Sequence, residues 1–127
     1  MEDRKKVNAN ISPYNLGKWG EETAQEYLKR KNFKIVAKGF RLYRGEIDVI
    51  AYDKKTLVFV EVKARCRRSL GLPEESVNLQ KQKQIRKIAE AYLALNNLED
   101  VECRFDVISL VFDESGSYCL SHIRDAF

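Results

Sequence analysis

Two hydrophobic periods divide the chain. From Leu16 onward, apolar or small residues recur at 16, 19, 20, 23, 24, 27 and 28, a spacing of three and four that predicts a helix ending near residues 31–32. Ser12-Pro13 precedes it, offering an N-cap and a proline at the first helical position. Residues 33–41 then read as a strand, with Gly39 as a bulge or a point of close approach. Residues 46–52 and 57–65 read as two more strands, joined by the polar turn Asp53-Lys54-Lys55-Thr56. Residues 67–72 are expected to form a loop. A second helix is expected from Pro73 or Glu74 to Asn97, with an apolar stripe at Ile85, Ile88, Ala89, Tyr92 and Leu95. Residues 104–112 and 118–123 complete the pattern as strands. The order is α-β-β-β-α-β with an additional C-terminal strand, an α/β fold. Residues 1–11 read as a flexible tail and 12–127 as one domain.

The central hairpin carries the chemical information. Side chains alternate across a strand, so Ile47, Val49 and Ala51 share one face of the first arm, and Glu46, Asp48 and Ile50 share the other. A turn over residues 53–56 pairs Tyr52 with Leu57 and, by extension, Ala51 with Val58, Val49 with Val60 and Ile47 with Val62. That face is wholly apolar and pins the register, because a slip of one residue would turn it into water. The same register sets Asp48 across from Glu61, Ile50 across from Phe59 and Glu46 across from Lys63. Two carboxylates side by side repel one another, so a raised pKa, a cation or a nearby base must compensate them. A divalent ion with oxygen ligands at about 2.0–2.1 Å suits that gap. Lys63 projects from the face of Glu61, where it can position or deprotonate a nucleophile. The plain alternative is a solvent-facing strand surface with incidental ion pairs.

Composition narrows the partners. The 127 residues carry a net charge of +4, yet the segment from Lys63 to Lys87 holds eight basic residues and two acidic ones. That stretch alone is +6 and leaves the remainder at −2, which points to an anionic polymer such as nucleic acid. No apolar run approaches the ~20 residues of a membrane span, so no membrane partner is expected. The start of the chain is polar, without a secretory signal, and a cytoplasmic location is expected. Three scattered cysteines and a lone His122 make neither a disulfide framework nor a zinc site. The absence of a G-x-x-x-x-G-K-[ST] loop argues against an NTPase.

Further residues converge on the hairpin. On the first helix Gly17, Glu21, Ala24 and Leu28 form one ridge; small Gly17 and Ala24 permit close packing, and Glu21 can lean over the sheet. On the second helix Lys81 and Gln82 can reach inward to the same place and touch a phosphate. Arg65, Arg67 and Arg68 leave the third strand beside it, suited to phosphate contacts.

The set Gly20-Glu21-x-x-Ala24, Arg44-Gly45-Glu46-Ile47-Asp48, Phe59-Val60-Glu61-Val62-Lys63-x-Arg65, Lys81-Gln82 and Arg104-Phe105-Asp106-Val107 resembles the bacterial YraN family. The likeness covers nearly everything after residue 14 and runs to Ala126-Phe127. That family resembles the PD-(D/E)XK nucleases and is similar to archaeal Holliday junction resolvases. The resemblance implies a restriction-endonuclease-like mixed sheet flanked by helices. It implies Asp48, Glu61 and the Val62 carbonyl as metal ligands, Lys63 as catalytic base or positioner, and Glu21 as a helix-borne catalytic glutamate. The proline of the nuclease motif is Ile47 here, at a position that is not a ligand. The resolvase relatives act as dimers on branched DNA, so a homodimer is implied as well. The expectation is therefore a Mg²⁺- or Mn²⁺-dependent endonuclease acting on DNA, including branched or repair intermediates. The alternative is a nucleic-acid-binding module of the same fold that does not cut.

Overall fold

A computed structural model describes residues 11–67, 77–113 and 115–127. Its elements are α1 (Pro13–Arg30), β1 (Lys34–Leu42), β2 (Gly45–Asp53), β3 (Thr56–Cys66), α2 (Leu79–Leu95), β4 (Cys103–Phe112) and β5 (Tyr118–Ile123). The five strands form one mixed sheet in the order β1-β2-β3-β4-β5. Only β3 and β4 run parallel, and α2 lies between them in the chain, since a parallel return needs a long crossover.

Helix α1 starts where expected: the Ser12 side chain accepts a hydrogen bond from the Asn15 N–H, with Pro13 in the first turn. The start expected for α2 at Pro73 or Glu74 lies outside the described residues. Asn78 is the N-cap of α2, accepting from the Lys81 N–H, so the helix begins at Leu79. The expected tail lies, except for residue 11, outside the described residues, as do residues 68–72 of the expected loop. Among the described residues no helix is long and apolar enough to cross a membrane.

The sheet separates two apolar clusters. On one face Ala24 and Leu28 of α1 pack with Val49, Ala51, Val58, Val60, Ile108 and Leu110. On the other, Ile85, Ile88, Ala89 and Tyr92 of α2 cover Ile50, Leu57, Phe59 and Phe105. This is the alternation expected of a sheet buried on both sides. Gly20 sets how closely α1 sits: a Cβ there would lie 2.7 Å from the Ala64 Cβ. Gly17, expected to serve this purpose, has nothing within 4 Å and faces outward, because close packing falls three residues further along the ridge.

The β2–β3 register is the one anticipated, with Asp53↔Thr56 through Val49↔Val60 all in place. Beyond Val49↔Val60 the pairing stops. Gly39 and Asp48 also drop out of the β1–β2 ladder, although Lys38↔Val49 and Phe40↔Ile47 on either side stay in register. Gly39 adopts φ +58, open to glycine at little cost. The expected alternation is therefore interrupted at Asp48. Ile47 belongs to the α2-side cluster with Ile50 and Phe59, not to the Val49 face, and its expected pairing with Val62 is not made. Of the two readings of Gly39, close approach holds, since a Cβ there would lie 3.2 Å from Glu46 Oε2, while the bulge lies instead at Val36, between Ile35 and Ala37.

Candidate functional site

Where β2 parts from β3 a cavity of about 690 Å³ opens, lined by Arg41, Leu42, Arg44, Gly45, Glu46, Asp48, Glu61, Val62, Lys81 and Gln84. The parting has a local cause. Asp48 turns its carboxylate into the fork, and Oδ2 accepts the Val62 N–H at 2.8 Å. A side chain thus takes up a donor that sheet pairing would otherwise use. Asp48 and Glu61 are not a laddered pair, as simple extension of the register had them, but they still meet across the fork.

Four carboxylates converge on the cavity from three elements. Oxygens of Glu21, Glu46 and Asp48 all lie within 4.8 Å of one another. Glu61 stands on β3, its side chain only 6% exposed, with Lys81 Nζ 3.2 Å from its Oε2. Its other oxygen, Oε1, is buried with no hydrogen-bond partner among the described residues. An orphaned carboxylate oxygen in a packed interior is costly and calls for a donor or a cation.

The electrostatics agree. Burial, then the charges of Asp48 and Glu46, push Glu21 up to about 7. Burial, then the charge of Asp48, pushes Glu61 up to about 7, against the pull of Lys81. Burial also raises Asp48, opposed by the Val62 N–H. These are carboxylates crowded without enough positive charge, the condition a divalent ion relieves. Oxygens within 4.8 Å of one another are close to the span of about 4 Å across an oxygen-liganded ion of this size. The donor set is all oxygen, which suits Mg²⁺ or Mn²⁺ rather than a thiolate-seeking metal.

The remaining expected residues divide. Glu21 and Lys81 reach the site, although Lys81 stands against Glu61 rather than open to a phosphate. Val62 lines the cavity. Lys63 follows on β3, half-buried, beside Ser109 of β4 and outside the lining. Arg65 and Arg67 continue along the end of β3 away from the fork, with Arg67 exposed. Arg68 lies outside the described residues. Gln82 does not turn inward: its Nε2 donates to the Val77 carbonyl at 2.8 Å, tying down the start of α2. Gln84, two residues on, lines the cavity instead.

Glu46 is the member that sequence reasoning left aside. Simple alternation set it across from Lys63, but the interruption at Asp48 brings it to Glu21. Its ion pair with Arg41 is 3.5 Å long and partly exposed. The sequence signal was its place two residues before Asp48, which alternation puts on the same side of the strand.

Comparison with known proteins identifies relatives along nearly the whole chain. The family described as "Uncharacterised protein family UPF0102" matches residues 20–110, which include all four carboxylates and Lys81. A UPF0102 protein of Prosthecochloris aestuarii is 41% identical over 123 residues, 93% of this chain and 97% of the relative. One from Clostridium beijerinckii is 39% identical over 97% of both chains. One from Geotalea daltonii is 44% identical over 88% of both.

Proposed function

The chain belongs to the UPF0102, or YraN, family, and we propose that it is a divalent-metal-dependent endonuclease that hydrolyses phosphodiester bonds in DNA. The observation that carries this is the buried, partnerless Oε1 of Glu61 beside Asp48 in an open cavity. A packed interior keeps such a charge only when something else completes it.

In this reading Asp48, Glu61 and the Val62 carbonyl hold Mg²⁺ or Mn²⁺, and Glu21 and Glu46 complete the acidic rim. The cation supplies a lowered pKa for an attacking water and neutralises phosphoryl charge. The Val62 N–H fixes the rotamer of Asp48, so its free oxygen stays aimed into the cavity. Lys81 balances one oxygen of Glu61 and leaves the other for the ion. Lys63, two residues beyond Glu61, positions the nucleophile or stabilises the phosphate as charge builds. Glu21 takes the part of a helix-borne catalytic glutamate, its carboxylate close to those of Asp48 and Glu46. Arg65, Arg67, Arg68 and Gln82 belong to the basic flank that meets the DNA backbone. The likeness to PD-(D/E)XK nucleases and junction resolvases supports branched DNA as substrate and a homodimer as the working form.

The test is cleavage of labelled single-stranded, duplex, flap and four-way-junction DNA with Mg²⁺ or Mn²⁺. Wild type is run beside Asp48→Asn and Lys63→Ala. Metal-dependent cuts lost in both variants are expected. Binding without cutting, indifferent to metal and to both substitutions, would instead make this a nucleic-acid-binding module.

A further inference from the structure

The β1–β2 turn breaks a strong local rule. Leu42 pairs with Gly45, so Tyr43 and Arg44 form a two-residue hairpin loop, with φ +54 and +61. Such loops favour Asn-Gly, because two consecutive positive φ values strain residues that carry a Cβ. Each costs of order 1 kcal/mol, and strain of this kind gathers at functional sites. A tyrosine and an arginine stand here in place of residues that would fold more easily.

The strained tip is held firmly. Gly45 meets α2 so closely that a Cβ would lie 2.8 Å from Gln84 and Ile88. Gln84 Nε2 approaches the Tyr43 carbonyl at 3.5 Å. Yet the Tyr43 side chain is not packed away: the residue is 52% exposed, and Lys87 Nζ stands 4.8 Å from its ring centroid. Leu42 and Arg44 on either side line the carboxylate cavity, and so does Arg41. Tyr43 thus presents an exposed aromatic ring, with Lys87 beside it, at a hairpin tip whose neighbours Arg41, Leu42 and Arg44 line a cavity with an acidic floor.

Resting on the endonuclease reading, we infer that Tyr43 is a stacking platform for an unpaired nucleobase beside the reacting phosphate, with Arg44 and Lys87 holding the flanking phosphates. Aromatic faces interleaved with cations grip single strands in this way, since every base offers a π face. In a paired duplex both faces of each base are already stacked, so the tip selects substrates with an open strand next to the cut.

The test is fluorescence anisotropy of the full chain with a single-stranded oligonucleotide and with the duplex of the same sequence. Ca²⁺ replaces Mg²⁺ so that binding is read without turnover. The variants are Tyr43→Gly, Tyr43→Phe and Arg44→Ala. Tyr43→Gly relieves the backbone strain and is expected to melt no lower than wild type, so misfolding cannot account for lost binding. It should weaken single-strand binding about tenfold and duplex binding less than twofold, whereas Tyr43→Phe keeps wild-type affinity. A 2-aminopurine in the single strand should be quenched at saturation by wild type, Tyr43→Phe and Arg44→Ala, but not by Tyr43→Gly. Unchanged single-strand affinity in Tyr43→Gly, or an equal loss for both DNAs, overturns the inference. The nuclease reading is judged separately, by Mg²⁺-dependent cutting. Stacking through Tyr43 without cutting would reject the enzyme and keep the platform.

Discussion

Two groups of buried carboxylates lie in the same sheet and are treated in opposite ways. Asp106, on β4, is fully buried and fully matched. Arg104 donates to both of its oxygens, the Asp125 N–H donates to Oδ1, and His122 Nε2 lies 2.7 Å from Oδ2. Arg104 also reaches Asp53, and the Tyr27 hydroxyl meets His122 Nδ1 at 2.9 Å. A carboxylate can only accept, so His122 Nε2 carries the proton of that bond. Burial alone would raise the pKa of Asp106, yet these bonds hold it down at about 2. At the fork, Glu61 and Asp48 are raised instead, and one oxygen of Glu61 has no partner among the described residues. The first group is a finished structural joint that ties α1, β4 and β5 together. The second is a cluster of carboxylates that the described residues leave unbalanced, and it is the feature on which the metal proposal rests.

The sharpest way to break this contrast is to neutralise one acid from each group. Asp48→Asn should lower the metal-dependent cleavage rate by about a thousandfold or more, with the fold intact. Asp106→Ala should cost about 3–5 kcal/mol of stability, because it leaves Arg104 buried without its main partner. Its cleavage rate at low temperature should stay near that of wild type. Initial rates and urea melts on the two variants decide it, and a reversed pattern would mean the groups have been assigned the wrong way round.

The pH dependence should differ in sign. Glu61 has a folded pKa near 7 against an ordinary 4.5, so without metal the folded state holds more protons across that interval. Stability then falls as pH rises from about 4.5 to about 7 and levels off above it. Glu61→Gln should be more stable than wild type by about 3 kcal/mol at pH 8, and equal to it at pH 4. Mg²⁺ should raise the melting temperature of wild type at pH 8, and little at pH 5. Asp106 runs the other way. Its depressed pKa contributes stability above pH 3.8 that is lost as pH falls towards 2. Thermal melts across pH, with and without Mg²⁺, separate the two limbs.

The smallest effect sharpens the structural side. Tyr27→Phe removes one hydrogen bond from the Asp106 joint and should cost about 1 kcal/mol, without changing cleavage. A large loss of activity there would tie the joint to the site, and chemical denaturation beside a rate measurement would detect it.

Much of this protein could be read from local pattern. The α-β-β-β-α-β-β order, the start of α1 at Ser12-Pro13 and the β2–β3 register all follow from periodicity, capping and an apolar strand face. These are short-range rules, and each acts within one helix turn or one hairpin. Asp48, Glu61, Glu21 and Lys81 were legible as candidates for the same reason, since strand and helix periods tell which side chains point together. What tertiary structure decided was the break in those periods. A strand's alternation cannot announce that Gly39 and Asp48 will leave the ladder, that Ile47 will change sides, or that Glu46 will swing to Glu21. Nor could it show that Gln82 would hold its own helix while Gln84 faced the cavity. Those outcomes depend on how closely Gly20 lets α1 approach the sheet and Gly45 lets α2 approach the hairpin. They are set by contacts between residues far apart in the chain, where steric fit and the balance of buried charge outweigh local preference.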